Sequence, residues 1–201
     1  MAVCRASAWN ATSPVVWVKP EVLCNQGTLV FARDDDYFLG VLESRVHRCW
    51  ALRMGTALED RPRYTPTSTF ETFPLPWVPG NEPTDDKKLI RIADAGRNLV
   101  DKRTLWLSPR GASTEELKGI TLTTLHNKRP TWLQNAHEEL DSAVLTAYGW
   151  PKGLSDDEIL TRLLKLNAER AETQRKPGVP AKKSPRRVNG VSLGRRTAGQ
   201  K

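Results

Sequence analysis

Two groups of acidic residues have the type and spacing that metal chemistry needs. Three consecutive aspartates, Asp34 to Asp36, offer the clustered carboxylate oxygens that hard cations prefer. The chain has no further carboxylates at calcium-loop spacing. We therefore favour a structural role, with Asp36 capping a helix and its neighbours lying at the positive end of the helix dipole.

A second pattern resembles that of a metal-dependent nuclease. Asp101, followed downstream by Glu116-Leu117-Lys118, loosely fits the spacing of an acidic residue and an acid-x-Lys pair. Glu116 is already explained by a capping box with Ser113, and both acidic residues fall on expected helices rather than strands. We predict no catalytic residue and no metal site in this chain.

The histidines and cysteines show no catalytic pattern either. His47, His126 and His137 have no cysteine or serine at a suggestive spacing, and a pair between His137 and Asp141 on one helix face would be structural. The three cysteines are scattered without a C-x-x-C spacing, which predicts a reduced, cytoplasmic protein.

Basic residues are the strongest indication of a binding surface. Five arginines cluster within 19 residues: Arg45, Arg48, Arg53, Arg61 and Arg63. Spacing alone does not assign this patch a ligand; within a DNA-recognition domain it would hold phosphates and position a duplex. The alternative is a solvated face whose charge is balanced by Glu43, Glu59 and Asp60.

The net charge of +8 is concentrated at the C-terminus. Residues 174–201 contain nine Lys or Arg and no Asp or Glu, which leaves 22 basic against 23 acidic residues in the rest of the chain. The segment is also rich in Pro and Gly, so we predict a basic disordered tail. It is either a tether for phosphate backbones or a solvated tail without a partner.

The elements that must position these residues are mostly helical. Apolar spacing and capping signals predict helices over 86–107, from Ser113 to near Asn127, from Thr131 to Tyr148, and after Ser155 with an apolar face that includes Leu164. In the N-terminal half, Thr28–Ala32 reads as a strand. Apolar residues that step by four from Phe38 to Trp50 predict one helix from Asp36 to Arg53.

Between the two halves lies the stretch RYTPTSTFETFPLPW, residues 63–77, which we call the strap. Its prolines push the residues before them into extended geometry, which predicts a stiff, unpaired segment. One apolar side should pack on a core through the anchor residues Phe70, Phe73, Pro74, Pro76 and Trp77. The fold class is therefore α+β and mostly α, with a short strand and the strap followed by a C-terminal helical bundle. No apolar run is long enough to span a membrane.

The order of these segments resembles a known family. The runs at 30–56, 63–77, 129–151 and 154–171 are similar to consecutive pieces of the C-terminal part of MmeI-like DNA adenine methyltransferases of restriction-modification systems. The resemblance implies the end of a target recognition domain at 29–80 and a helical C-terminal domain at 81–173. Residues 1–28 remain unassigned, and Glu43 and Leu75 stand where the family leads us to expect histidine and phenylalanine.

The catalytic motifs of that family are missing from this sequence. It contains no Gly-x-Gly and no N-P-P-Y, the motifs that would bind S-adenosylmethionine and grip a flipped adenine. The resemblance therefore implies a non-catalytic fragment or subunit that acts on double-stranded DNA, with S-adenosylmethionine and Mg²⁺ belonging to parts outside this chain. The alternatives are a module that docks on a separate methyltransferase core, and a remnant without function.

Overall fold

The computed structural model describes residues 3–6, 14–19, 21–24, 28–58 and 61–175, and of residues 3–6, 57, 58, 61–63, 174 and 175 the backbone alone. The strands are short and lie in the first third of the chain: β1 (Val3–Ala6), β2 (Val15–Val18), β3 (Leu29–Phe31), β4 (Thr56–Leu58) and β5 (Arg61–Arg63). The helices are α1 (Asp36–Glu43), α2 (Arg45–Met54), α3 (Lys87–Leu107), α4 (Thr114–Lys118), α5 (Leu122–Lys128), α6 (Thr131–Ala147) and α7 (Asp156–Arg175). This confirms the mostly helical α+β class. None of the helices in these ranges is long and apolar enough to cross a lipid bilayer.

The strands form two antiparallel units. β1 lies between β2 and β3 in a three-stranded sheet, and β4 pairs with β5 in a hairpin. The predicted strand at 28–32 is confirmed as β3. Its partners β1 and β2 lie within residues 1–28, which were left unassigned above, so that segment contributes two of the three strands of this sheet.

The prediction of one helix from Asp36 to Arg53 is wrong, because the chain breaks at Ser44. Ser44 has extended backbone (φ −69°, ψ 155°), its Oγ donates to the Val41 carbonyl at 2.7 Å, and it accepts the amide of His47. Serine competes in this way for backbone partners and starts the new helix α2. The first cap is also one residue earlier than expected, since the Asp35 carboxylate accepts the amide of Phe38 at 2.8 Å.

The C-terminal half follows its capping signals with one exception. Ser113 and Ser155 both form capping boxes, with Glu116 and Glu158 respectively, and Gly149 ends α6 with a left-handed φ of 72°. The single helix expected between Ser113 and Asn127 is instead two, because Gly119 ends α4 and Thr121 caps α5. Leu164, placed on the buried face of α7 by the sequence, is exposed.

Helix α1 is the centre of the structure. Every residue from Tyr37 to Glu43 is buried, with the sheet and strap on one side and α3 on the other. At the crossing with α3 the backbones almost touch, because a Cβ on Gly96 would lie 2.9 Å from the Asp36 carbonyl oxygen and 3.1 Å from the Gly40 Cα. The buried hydrophobic residues from Val15 to Leu163 form one cluster, and the boundary near residue 80 stays a prediction.

A buried ion pair joins α1, α3 and β2. The Arg103 guanidinium donates to the Glu43 carboxylate at 2.7 Å and to the Val15 carbonyl at 2.7 Å. The same Glu43 oxygen accepts the Val15 amide at 2.8 Å. Both charged side chains are almost fully buried, and each has hydrogen-bond partners that offset part of the loss of hydration.

Removing one partner of this pair should therefore be costly. We expect Glu43→Ala to lower the free energy of unfolding by about 3–5 kcal/mol, because it leaves Arg103 buried without its counter-ion. The loss is measured by urea denaturation. Glu43→Leu combined with Arg103→Met should cost much less than the sum of the two single changes, and additive costs would contradict this account.

The helix crossing makes a second prediction. Gly96→Ala should destabilise the fold by about 1–3 kcal/mol, because the new methyl group meets backbone atoms of α1 that cannot rotate away. The matched control is Gly119→Ala, whose Cβ would have the Glu116 carbonyl oxygen as its nearest neighbour at 3.7 Å. Equal denaturation midpoints for the two variants would show that α1 and α3 are not in tight contact.

Candidate nucleic-acid interface

The structure separates the arginines that the sequence grouped together. Arg45, at the start of α2, is used inside the protein: its guanidinium pairs with Asp156 and donates to the Leu154 carbonyl at 2.9 Å, and its amide donates to Asp141. These contacts join α2 to α6 and α7. Arg45 therefore links α2 to two other helices, a role that the sequence pattern did not predict.

Arg48 and Arg53 follow on the same helix with different surroundings. Arg48 is half-buried, and its guanidinium forms no ion pair or hydrogen bond within the described part of the chain. It nevertheless acts electrostatically on Asp141 and Asp156, the two carboxylates that Arg45 bonds. Arg53 lies exposed in the last turn of α2. Of the two side chains, that of Arg53 is therefore the more accessible to an external anion.

The other two arginines lie in the hairpin that follows α2. Arg61 and Arg63 are in β5, where they pair through the backbone with Leu58 and Thr56 of β4. Their side chains, and Glu59 and Asp60 at the tip, lie outside what the structure describes. Because Gly55 alone separates α2 from β4, Arg53 lies at the base of this hairpin.

The strap packs on the core as expected but is not extended throughout. Thr65 is extended (φ −111°, ψ 122°), as the following proline requires, whereas Pro66–Phe70 forms a π-helical turn closed by the Glu71 amide and the Pro66 carbonyl. The strap is thus partly helical, which corrects the prediction. Its aromatic rings dock as anchors: Phe70 lies 4.6 Å from Phe31, Phe73 4.9 Å from His47, and Trp77 5.6 Å from Tyr37, measured between ring centroids.

Side chains from α6 and α7 satisfy the backbone of the strap. The Tyr148 hydroxyl donates to the Pro74 carbonyl at 2.8 Å, and Arg170 donates to the carbonyl of Leu75 at 2.7 Å and to that of Pro76. Prolines remove backbone donors but leave the carbonyls, which need partners when partly buried. The strap is therefore a connector fixed to the helical half.

The acidic candidates for metal binding have structural roles. Asp35 caps α1 and pairs with Arg33, and Asp36 accepts from Arg97 at 2.8 Å. In the ranges that the structure describes, no three His, Cys, Asp or Glu side chains come together as a metal site. Of the nuclease-like residues, Asp101 is exposed on α3, Glu116 is held in its capping box and Lys118 pairs with Glu115.

The histidines are buried to different degrees, and burial lowers the pKa of each. His47 donates from Nδ1 to the Leu42 carbonyl, and its Nε2 is hydrogen-bonded to the Tyr64 hydroxyl. Desolvation lowers the pKa of His47 to about 4, although the hydrogen bond to the Leu42 carbonyl acts in the opposite direction. Desolvation also lowers the pKa of His137 to about 4. The pair expected between His137 and Asp141 is not formed, since Asp141 accepts the Arg45 amide.

These shifts make stability depend on pH. A histidine whose folded pKa lies near 4 binds its proton less readily than the unfolded chain does near 6.5, so stability is greatest above pH 6.5 and falls as the pH drops toward 4. We expect a loss of about 1–3 kcal/mol per imidazole by pH 4. His137→Gln should flatten this part of the profile in urea denaturation between pH 7 and 4. An unchanged profile would mean that His137 is not buried as a neutral group.

One cation at a turn was missed by the sequence analysis. Arg129 ends α5 in a left-handed conformation (φ 43°, ψ 58°), the only non-glycine residue with positive φ in the described part of the chain. Its side chain is exposed. The sequence signal for this conformation was the position of Arg129 between the end of a helix and Pro130, because a residue before proline avoids the right-handed helical region.

Comparison with known proteins identifies the N-terminal region. Residues 5–77 match the family model of the MmeI target recognition domain. The match begins within the segment 1–28 that the sequence left unassigned, and it ends at Trp77 of the strap.

Two related proteins support the same assignment. The chain is 33% identical over 138 residues, or 68% of its length, to DNA methyltransferase A of Bacillus subtilis strain 168. It shares its fold with the type IIL restriction-modification enzyme MmeI solved in complex with DNA, with a TM-score of 0.67 over 85% of this chain at 23% identity. The chain spans 14% of the first relative and 21% of the second. It is an MmeI-like protein that contains a target recognition domain of the kind found in DNA methyltransferases and restriction-modification enzymes.

Proposed function

We propose that this chain is the DNA-binding, non-catalytic part of a site-specific DNA modification system. The observation that carries the proposal is the match of residues 5–77 to a target recognition domain, within which α2 carries the exposed Arg53 and the half-buried Arg48, neither in an ion pair among the described residues. Recognition domains need such cations, because contacts to backbone phosphates position a protein on the duplex before any base is read.

The roles within the domain follow from the positions of its residues. Arg48 and Arg53 hold phosphates. The hairpin of β4 and β5, which contains Arg61 and Arg63, directly follows α2 in the sequence. The strap fixes this unit to the helical half through Tyr148 and Arg170. The DNA-binding residues are thus anchored to the helical half of the chain.

Catalysis belongs to another part of the system. The residues of this chain do not fit S-adenosylmethionine, because no glycine-rich turn follows a strand, and no N-P-P-Y motif is present for a target base. Mg²⁺ has no cluster of carboxylates within the described ranges. Both groups would bind to a methyltransferase core supplied by another polypeptide or by another part of a larger one.

A second candidate is a module that docks on a methyltransferase core without binding DNA strongly. The observation in its favour is apolar surface near the N-terminal sheet, where Leu23 is 98% exposed and Val22 and Val30 are about half exposed. An N-terminal surface of this kind is suited to a protein partner. The remnant hypothesis is not supported by the strap, since Phe70, Phe73 and Trp77 pack against the core of the chain itself.

Duplex binding over a salt series tests the proposal. We expect both the full chain and a chain ending at Arg175, the last residue of α7, to bind duplex DNA, with an affinity that falls as salt rises. Arg53→Gln should weaken binding and reduce the slope of log affinity against log salt by about one, because one phosphate contact is lost.

The control is Lys152→Gln, which removes an exposed charge in the turn between α6 and α7. It should leave both the affinity and the slope unchanged. If the shortened chain does not bind at low salt but the full chain does, residues 176–201 alone supply the affinity. If neither binds, while the chain elutes together with a purified methyltransferase core, the docking module is the correct function.

A further inference from the structure

The buried His47 joins three segments of the fold. Its Nδ1 lies 2.8 Å from the Leu42 carbonyl oxygen in the last turn of α1, and its Nε2 lies 2.9 Å from the Tyr64 hydroxyl. A carbonyl can only accept, so the ring proton is on Nδ1, and Nε2 accepts the proton of the Tyr64 hydroxyl. The residue is 1% exposed, and desolvation lowers its pKa to about 4, which keeps this neutral tautomer at neutral pH.

Tyr64 directly follows the hairpin that contains Arg61 and Arg63. β5 ends at Arg63, so the Tyr64 hydroxyl holds the point at which the chain leaves the hairpin. The imidazole that accepts this bond is itself held in place, because the Phe73 ring packs edge-on against it, with ring centroids 4.9 Å apart and an interplanar angle of 75°. The hairpin is thus joined to a buried ring whose orientation is fixed.

A second set of bonds fixes the turn that follows the hairpin. The Trp50 indole donates to the Thr69 carbonyl at 3.0 Å, and both residues are fully buried. The Thr69 hydroxyl accepts the Thr65 amide at 3.2 Å, and the Thr65 hydroxyl is hydrogen-bonded to that of Thr56 in β4 at 3.2 Å. His47 and Trp50 are one turn apart on α2, so one face of this helix is bonded to the end of the hairpin and to the turn after it.

The hairpin needs this support because it is too small to hold its own orientation. Each of its strands has three residues, and a two-stranded hairpin by itself is only marginally stable in water. Side chains that bind a ligand must be held close to the productive geometry by neighbours that are themselves fixed. The bonds from α2 supply such neighbours to the end of β5.

We propose that the hydrogen bond between His47 and Tyr64 positions the β4–β5 hairpin on duplex DNA. It holds the two hairpin arginines, Arg61 and Arg63, where they reach phosphates next to those held by Arg53. This inference rests on the proposed function and makes the bonded pair positioning residues that do not touch the DNA themselves. Helix α2 then serves recognition twice, through the exposed Arg53 in its last turn and through the buried ring that orients the hairpin.

Removing the hydroxyl alone tests this role. Tyr64→Phe keeps the ring and loses the bond to His47, so duplex affinity at about 0.1 M salt should fall about 3- to 10-fold and the salt slope should decrease by about one. The melting temperature should fall by about 2–4 °C. The control matched for stability is Ser113→Ala, which removes the capping box of α4; it should lower the melting temperature by a similar amount and leave affinity and slope unchanged.

The hairpin arginines show whether Tyr64 acts through them. In a chain with Arg61→Gln and Arg63→Gln the phosphate contacts of the hairpin are already lost, so adding Tyr64→Phe should weaken binding no further. The same factor of loss in both backgrounds would overturn the inference, because the hydroxyl would then act on DNA directly or through another element.

A second variant breaks the same bond from the other side. His47→Asn retains a donor near the Nδ1 position for the Leu42 carbonyl and has no acceptor at the position of Nε2. It should weaken duplex binding as Tyr64→Phe does, and combining the two changes should add nothing, since both remove one bond. Far-UV circular dichroism at the binding temperature shows that each variant is folded.

The outcomes separate this inference from the proposed function. If Arg53→Gln weakens duplex binding while Tyr64→Phe and His47→Asn bind like the unaltered chain, the bond between His47 and Tyr64 has a structural role alone and the recognition domain stands. If the unaltered chain does not bind duplex DNA, both are wrong.

Discussion

The burial of α1 on all sides is the constraint on which the rest of the structure depends. A helix whose residues from Tyr37 to Glu43 are all buried must be covered by several elements at once. The N-terminal sheet and the strap cover one side, and α3 covers the other at a distance set by Gly40 and Gly96. Residues of the matched region 5–77 and of the helical half therefore contribute to the same hydrophobic core.

A fully buried helix that ends in a glutamate needs a partner for that charge. Arg103 supplies it from the middle of α3, and both groups also bond to the backbone of Val15. Replacing such a pair by apolar residues is often neutral or stabilising, so its value lies in specificity rather than in net stability. It fixes the registers of α3 and β2 relative to α1, since the two charged groups bond both to each other and to the backbone of Val15. This explains why glutamate is tolerated where the family resemblance led us to expect histidine.

The cations of the chain fall into two classes by their counter-ions. Arg33, Arg45, Arg97 and Arg103 are paired with carboxylates and hold elements together. Others, Arg48, Arg53 and Arg129 among them, form no ion pair within the described residues. The distinction matters because a paired guanidinium has already lost the capacity that a phosphate contact requires. Among the arginines grouped by the sequence, Arg45 thus links helices, whereas Arg48 and Arg53 are the residues that we propose to contact DNA.

The sequence by itself determined the features that depend on neighbours along the chain. Capping boxes at Ser113 and Ser155, the left-handed stop at Gly149 and the helical spacing of α3 and α6 are local, and all are confirmed. The order of motifs also identified the family, because a series of segments is specific even when each is short.

Tertiary structure decided the rest. The start of α2 after the break at Ser44 is bonded across the fold, since the Arg45 amide donates to Asp141, and the π-helical turn of the strap ends at Phe70, which packs against Phe31. The charged partners of Glu43 and Arg45, which are Arg103 and Asp156, lie 60 and 111 positions away, and charge pairing over such separations is set by the fold and not by spacing.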